Sequence, residues 1–154
     1  YRHDPNIDTN KNLVKFLREI DVDAPIDGSK AHNCGVLYIS ASYFLKERPK
    51  MSDSIPNQKE VTGASEPVFR YVIANMPNLE YIILAGHVAF DWVTEWLFIK
   101  GNKFSECRDN HRILETGKYK VLTSAHTSIL GINNRPGNMS AVQDDWKIFR
   151  EVMA

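Results

Sequence analysis

Near its C-terminal end the chain reads SAHTSILG, residues 124–131, in which His126 ends a β-branched stretch and small polar residues surround two bare aliphatics, Ile129 and Leu130. A histidine there either serves chemistry at a cleft or bonds a neighbouring loop as a structural group. Ile129 and Leu130 cost solubility if they are exposed and then need a use; otherwise they pack as core under a closing helix. Two further apolar stretches end in polar groups, one at Ser40-Ala41-Ser42 and one at Gly86-His87. The serines face the same edge as His126 or simply satisfy strand-end backbone groups. His87 reads as the first residue of a helix. A separate set, His32-x-Cys34 and Cys107-x-x-x-His111, holds ligand types that suit tetrahedral zinc. Neither pair has the familiar two-residue cysteine spacing, so no metal site is expected.

The elements that must position these residues alternate between strand and helix. Leu13, Phe16, Leu17 and Ile20 fall at helical spacing, which predicts a helix over Asn12–Ile20 capped by Thr9 or Asn10. Cys34–Leu45 is an apolar run that reads as a buried strand. Residues 46–63, charged and holding Pro49 and Pro56, predict a long exposed loop. Ser65 then caps a helix whose apolar stripe is Val68, Phe69, Val72, Ile73 and Met76. Tyr81–Ala85 is a second strand, the segment from His87 a third helix, and Asn102–Gly117 a polar connection. Lys120–Ala125 is a third strand, and Ala141–Met153 a closing helix with Val142, Trp146, Phe149 and Val152 inward. Trp92, Trp96 and Trp146 sit at helical positions as core. This order predicts an α/β domain with a mostly parallel sheet covered on both faces. Sites in such sheets lie beyond the carboxyl ends of the strands, so the three strand ends should converge on one edge.

Composition sets the bounds. The chain has 154 residues, 43% hydrophobic and 25% charged, as one domain of ordinary size requires. Nineteen basic residues balance nineteen acidic ones, so there is no overall electrostatic pull toward nucleic acid. No apolar run approaches the roughly 20 residues that span a bilayer, and no signal peptide is visible. Two cysteines make no disulfide framework, which points to a reducing, intracellular compartment, cytoplasmic or nuclear. The chain starts at Tyr1 without an initiator methionine, as a processed or trimmed piece would. No G-x-G-x-x-G follows any strand, which argues against a dinucleotide-binding enzyme.

Taken together, three segments resemble the uracil-DNA glycosylase superfamily. GVLYISASYFLK looks like the strand that ends at the family's base-reading asparagine, and NLEYIILAGHVAFDWV like its next strand and helix. SAHTSILG is similar to its strand-plus-loop motif of histidine, small residue, serine, apolar residue and leucine. Their order and spacing fit over residues 9 to 154. The resemblance implies a three-layer α/β/α fold, with 1–154 a single domain, and an enzyme that flips a uracil or other modified base out of DNA and hydrolyses its N-glycosidic bond. It implies that His126 hydrogen-bonds the departing base's oxygen, that Ser128 grips a phosphate, and that Leu130 wedges into the duplex.

Two departures stand out. Ser40 occupies the place of the asparagine, and one hydroxyl cannot make that residue's two-pronged contact with a base. The family's earliest motif, an Asp-Pro pair whose aspartate handles the water, has only Asp4-Pro5 as a counterpart, with no strand ahead of it and too little chain after it; either Asp4 takes that role, or the motif lies upstream of Tyr1 or is missing. The expected partner is DNA, with a protein partner as the alternative, no membrane, no cofactor and a monomeric state. The competing expectation is a catalytically silent glycosylase-like fold that binds DNA or a protein.

Overall fold

The computed structural model describes residues 6–24, 35–41 and 58–154. The first helix, α1, spans Asp8–Glu19 and buries Leu13, Val14, Phe16 and Leu17 on one face. It starts earlier than the predicted caps. Ile7 is the N-cap without a side-chain bond, the Asp8 carboxylate sits in the first turn where the helix dipole favours it, and Thr9 and Asn10 lie inside the helix. The second helix, α2, runs Gln58–Ala74 straight through Ser65 and Pro67. Ser65 is therefore not its cap. The side chain is fully buried, so packing and not capping places it. Of the predicted loop over 46–63, residues 58–63 are helical and the remainder lies outside the described residues.

Strand β1 is Tyr81–Ala85, followed by α3, His87–Trp96, and α4, Phe104–Asp109. Strand β2 is Leu114–Glu115 and β3 is Lys120–Ser124; the short α5, Ile129–Asn133, and α6, Asn138–Met153, complete the order. The sheet has the order β1-β3-β2. β1 and β3 are parallel, with Tyr81 opposite Lys120 and Ala85 opposite Ser124. β2 is antiparallel to β3, with Leu114 opposite Val121. A mostly parallel sheet is thus not what the described residues form: one pairing is parallel and one antiparallel. The reason lies in the predicted polar connection 102–117. A tight turn, with Gly117 at φ 80° and the Thr116 hydroxyl accepting from the Tyr119 amide at 3.0 Å, folds two residues back onto β3.

The predicted strand Cys34–Leu45 is described only at 35–41, which is not among the three strands of this sheet. Ile39 and Ala41 pack onto the core, while Val36, Leu37 and Tyr38 stay exposed. The burial expected of this run is thus found only in part, at Ile39 and Ala41.

Two hydrophobic clusters meet at the sheet. One joins Phe69 of α2, Phe90, Trp92, Val93 and Trp96 of α3, Cys107 of α4 and Leu114 of β2, with Val121 of β3. The other joins Leu13, Phe16 and Leu17 of α1, Ile132 of α5, and Val142, Trp146 and Phe149 of α6, with Leu122 of β3. Val121 and Leu122 are adjacent and enter different clusters because successive strand side chains point to opposite faces. All three tryptophans are core, as the sequence predicts. Each large side chain so buried contributes about 1.5–3 kcal/mol relative to exposure. Among the described residues no helix is long and apolar enough to cross a membrane.

Candidate functional site

The chain leaves β3 at Ser124, which accepts a hydrogen bond from the Trp146 indole at 2.9 Å and so ties the strand end to α6. Ala125 and Thr127 are buried, and His126 between them is exposed. The Thr127 carbonyl accepts from the Asn12 amide of α1 at 2.9 Å. Ser128 then caps α5, its hydroxyl accepting from the Gly131 amide at 3.2 Å. α5 has only five residues, too few to hold a helix by itself. It is anchored by Ile132, which enters the second cluster.

The geometry around His126 sets its proton. The Ser128 backbone N–H donates to Nδ1 at 3.1 Å, and the Ser128 hydroxyl lies 2.9 Å from the same nitrogen. An N–H donor needs a lone pair on Nδ1, so the neutral ring carries its proton on Nε2. The partial burial of the ring pulls its pKa below the ordinary 6.5. The N-cap of α3, Gly86, abuts the ring. At neutral pH the side chain is therefore a neutral Nε2–H donor.

Two glycines wall it in. A Cβ at Gly86, where φ is 98°, would come 3.0 Å from the His126 Cβ and 3.3 Å from Cδ2. A Cβ at Gly131 would come 2.6 Å from the His126 Cβ and closer still to its carbonyl oxygen. The Gly86 amide donates to the Ser124 carbonyl at 2.9 Å, which carries the parallel ladder one step past β1 and brings the two strand ends together. The expected convergence of Gly86 with His126 is thus present.

Ile129 and Leu130 are not core. They are 54% and 72% exposed at the start of α5, beside His126. The packing of this loop under α6 is carried by Ile132 alone among its aliphatics. Ser40 is exposed, between Ile39 and Ala41, on the segment that packs against the cluster of α2 and α3. Ser42, Asp4 and Pro5 lie outside the described residues. His87 is exposed at the first turn of α3, 3.3 Å from the Asp91 carboxylate and edge-on to Phe104. It lines a concavity of about 420 Å³ with Asp91, Asn102, Lys103, Phe104 and Ser105, to which His126 does not contribute. Among the described residues no carboxylate pairs with His126.

Of the four residues of zinc-ligand type, only Cys107 and His111 lie among the described residues. Cys107 is buried in the first cluster, where burial pushes its thiol pKa up. His111 instead holds the Asp145 carboxylate at 2.7 Å, while His32 and Cys34 lie outside the described residues.

Sequence reasoning missed the two glycine walls and a charged cluster behind the loop. Asp145 accepts a two-pronged bond from Arg135. It occupies the inward stripe of α6 with Val142, Trp146 and Phe149, and a lone acid on an apolar stripe was a legible sign of a buried partner. The chain matches no family model, no curated protein and no solved structure.

Proposed function

We propose that the chain is a DNA glycosylase-like protein that acts on a flipped uracil or other modified base, with a three-layer α/β/α arrangement of the uracil-DNA glycosylase kind. The observation that carries this reading is the neutral His126, its Nδ1 held by the Ser128 amide and its Nε2–H left to donate, next to the exposed Ile129 and Leu130. In N-glycosidic hydrolysis the C–N bond breaks with its electron pair going to the base, and a fixed neutral donor stabilises the anion that forms. Leu130 is the apolar wedge that holds the duplex open, Ser128 contacts a phosphate, and Ser40 faces the base. A silent fold that binds DNA or a protein is the second reading. It is favoured by the lack of a carboxylate paired with His126 among the described residues, because the attacking water needs a base.

Alkaline strand cleavage of a labelled oligonucleotide carrying one uracil tests the first reading, with His126→Ala as the control. Cleavage by the parent and not by the variant supports it. Retention of the oligonucleotide in a gel shift without cleavage moves the assignment to the silent reading or to a base other than uracil. Neither cleavage nor retention removes DNA as the ligand.

A further inference from the structure

Beyond the exposed residues lies the question of what holds their loop in one shape. The connection from His126 to Asn138 contains a single buried aliphatic, Ile132, and a five-residue helix. We propose that Arg135 is a positioning residue, a guanidinium clamp that fixes this loop, and with it His126 and Leu130, against α4 and α6. The role rests on reading His126 and Leu130 as the pair that meets the ligand.

The guanidinium reaches two elements at once. Its Nε donates to Asp145 Oδ2 at 3.0 Å and one terminal nitrogen to Asp145 Oδ1 at 2.9 Å, while the other terminal nitrogen donates to Asp109 Oδ1 at 2.9 Å. Asp145 belongs to α6 and is almost wholly buried; Asp109 is the last residue of α4. Each acid has a second holder. His111 bonds Asp145 Oδ1 at 2.7 Å, and Arg108 bonds Asp109 at 2.7 and 3.2 Å while lying over the Phe104 ring at 5.2 Å. The backbone of Arg135 is used as well: its N–H donates to the Ile132 carbonyl at 3.0 Å, and its carbonyl accepts from the Asn138 amide at 2.7 Å. One residue thus seats the end of α5, the start of α6 and the end of α4.

Stability alone is a poor reason for such a cluster, since buried ion pairs roughly break even against apolar side chains of equal volume. Direction is the better reason. A planar fork satisfies two carboxylates at fixed angles, which an ammonium on a flexible stem cannot reproduce. The loop has no other fixed partner between Ile132 and Asn138 of comparable rigidity among the described residues.

The test uses Arg135→Lys, which keeps the charge and loses the fork, with Phe149→Leu as a variant that weakens α6 packing away from the clamp. The readouts are the NMR signals of the His126 ring and the Ser128 amide, together with the Kd for the uracil oligonucleotide. Expected is a folded Arg135→Lys in which both signals move and the Kd weakens about tenfold, the scale of one lost charge-assisted hydrogen bond. Phe149→Leu should lower thermal stability and leave signals and Kd in place. Should Arg135→Lys fail to fold, Asp109→Asn removes one arm of the clamp and must move the same signals by a smaller amount. Unmoved signals in whichever clamp variant folds overturn the proposal, as does an equal movement in Phe149→Leu. Moved signals in a protein that binds no oligonucleotide keep the clamp and discard the DNA reading.

Discussion

Replacing Gly131 with alanine should displace His126, although the same exchange in most helices stabilises. Gly131 lies inside α5 and has no left-handed φ, so propensity favours alanine there by about 1 kcal/mol. Against that stands the wall. The new methyl would meet the His126 Cβ at 2.6 Å and its carbonyl oxygen closer still, and neither is the far end of a flexible side chain. Overpacking of this kind costs about 1–3 kcal/mol. The steric term wins, for a net loss of about 1 kcal/mol and a fall in Tm of roughly 2–4 °C in a chain of this size. Gly63 supplies the internal comparison: it lies in α2 with nothing within 4 Å of a Cβ. Gly63→Ala should raise Tm by a similar few degrees, following the propensity term of about 1 kcal/mol. Calorimetry on both variants reads the signs, and the His126 ring signals in an NMR spectrum read the displacement. If Gly131→Ala stabilises as much as Gly63→Ala and leaves those signals in place, the wall does not constrain the histidine and the reasoning fails.

Further outcomes follow from the same geometry. Leu130→Ala should change unfolding stability by less than about 0.5 kcal/mol, the range of open surface sites, whereas Trp146→Ala should cost about 3–5 kcal/mol; a large loss in the first would make Leu130 core. The His126 ring should titrate below 6.5 in the folded protein because burial disfavours its charge. The unfolded chain then binds more protons in the window between the folded midpoint and 6.5, so this group's contribution to stability is present above that window and lost as pH falls through it; an NMR midpoint at or above 6.5 would contradict this. Asp145→Ala should cost about 3–5 kcal/mol by chemical denaturation, because it leaves the enclosed Arg135 guanidinium without its main partner. Breaking the exposed Lys147–Asp144 pair with Lys147→Ala should leave the midpoint unmoved.

What the sequence made legible was what apolar patterns encode. β1 and β3 are read to within a residue as short apolar runs, and α6 is read from its inward stripe. The errors fall where a tertiary contact overrides a local sign. Ser65 looks like a cap, yet it is a small residue buried in the middle of α2. β2 has two residues and no periodicity to detect, so only its turn and its pairing with β3 reveal it. His126 could be singled out from its type and place at a strand end. The walls that hold it could not, because nothing local says that Gly86 and Gly131, forty-five positions apart, meet the same residue.

The tautomer of His126 was out of reach of sequence reading for a different reason. Its donor is the main-chain N–H of residue 128, which any residue but proline supplies. Side-chain identity at 128 adds to this through the hydroxyl, which lies 2.9 Å from Nδ1 and also caps α5. Ser128→Ala should accordingly keep the Nε2–H tautomer while losing about 0.5–2 kcal/mol of stability with the cap. Ser128→Pro should remove the donor to Nδ1 itself and free the ring to carry its proton on either nitrogen. Side-chain ¹⁵N shifts of His126 distinguish the two cases. A mixed tautomer in Ser128→Ala would assign the control to the hydroxyl, and the neutral donor would then belong to the side-chain pair and not to the turn of the backbone.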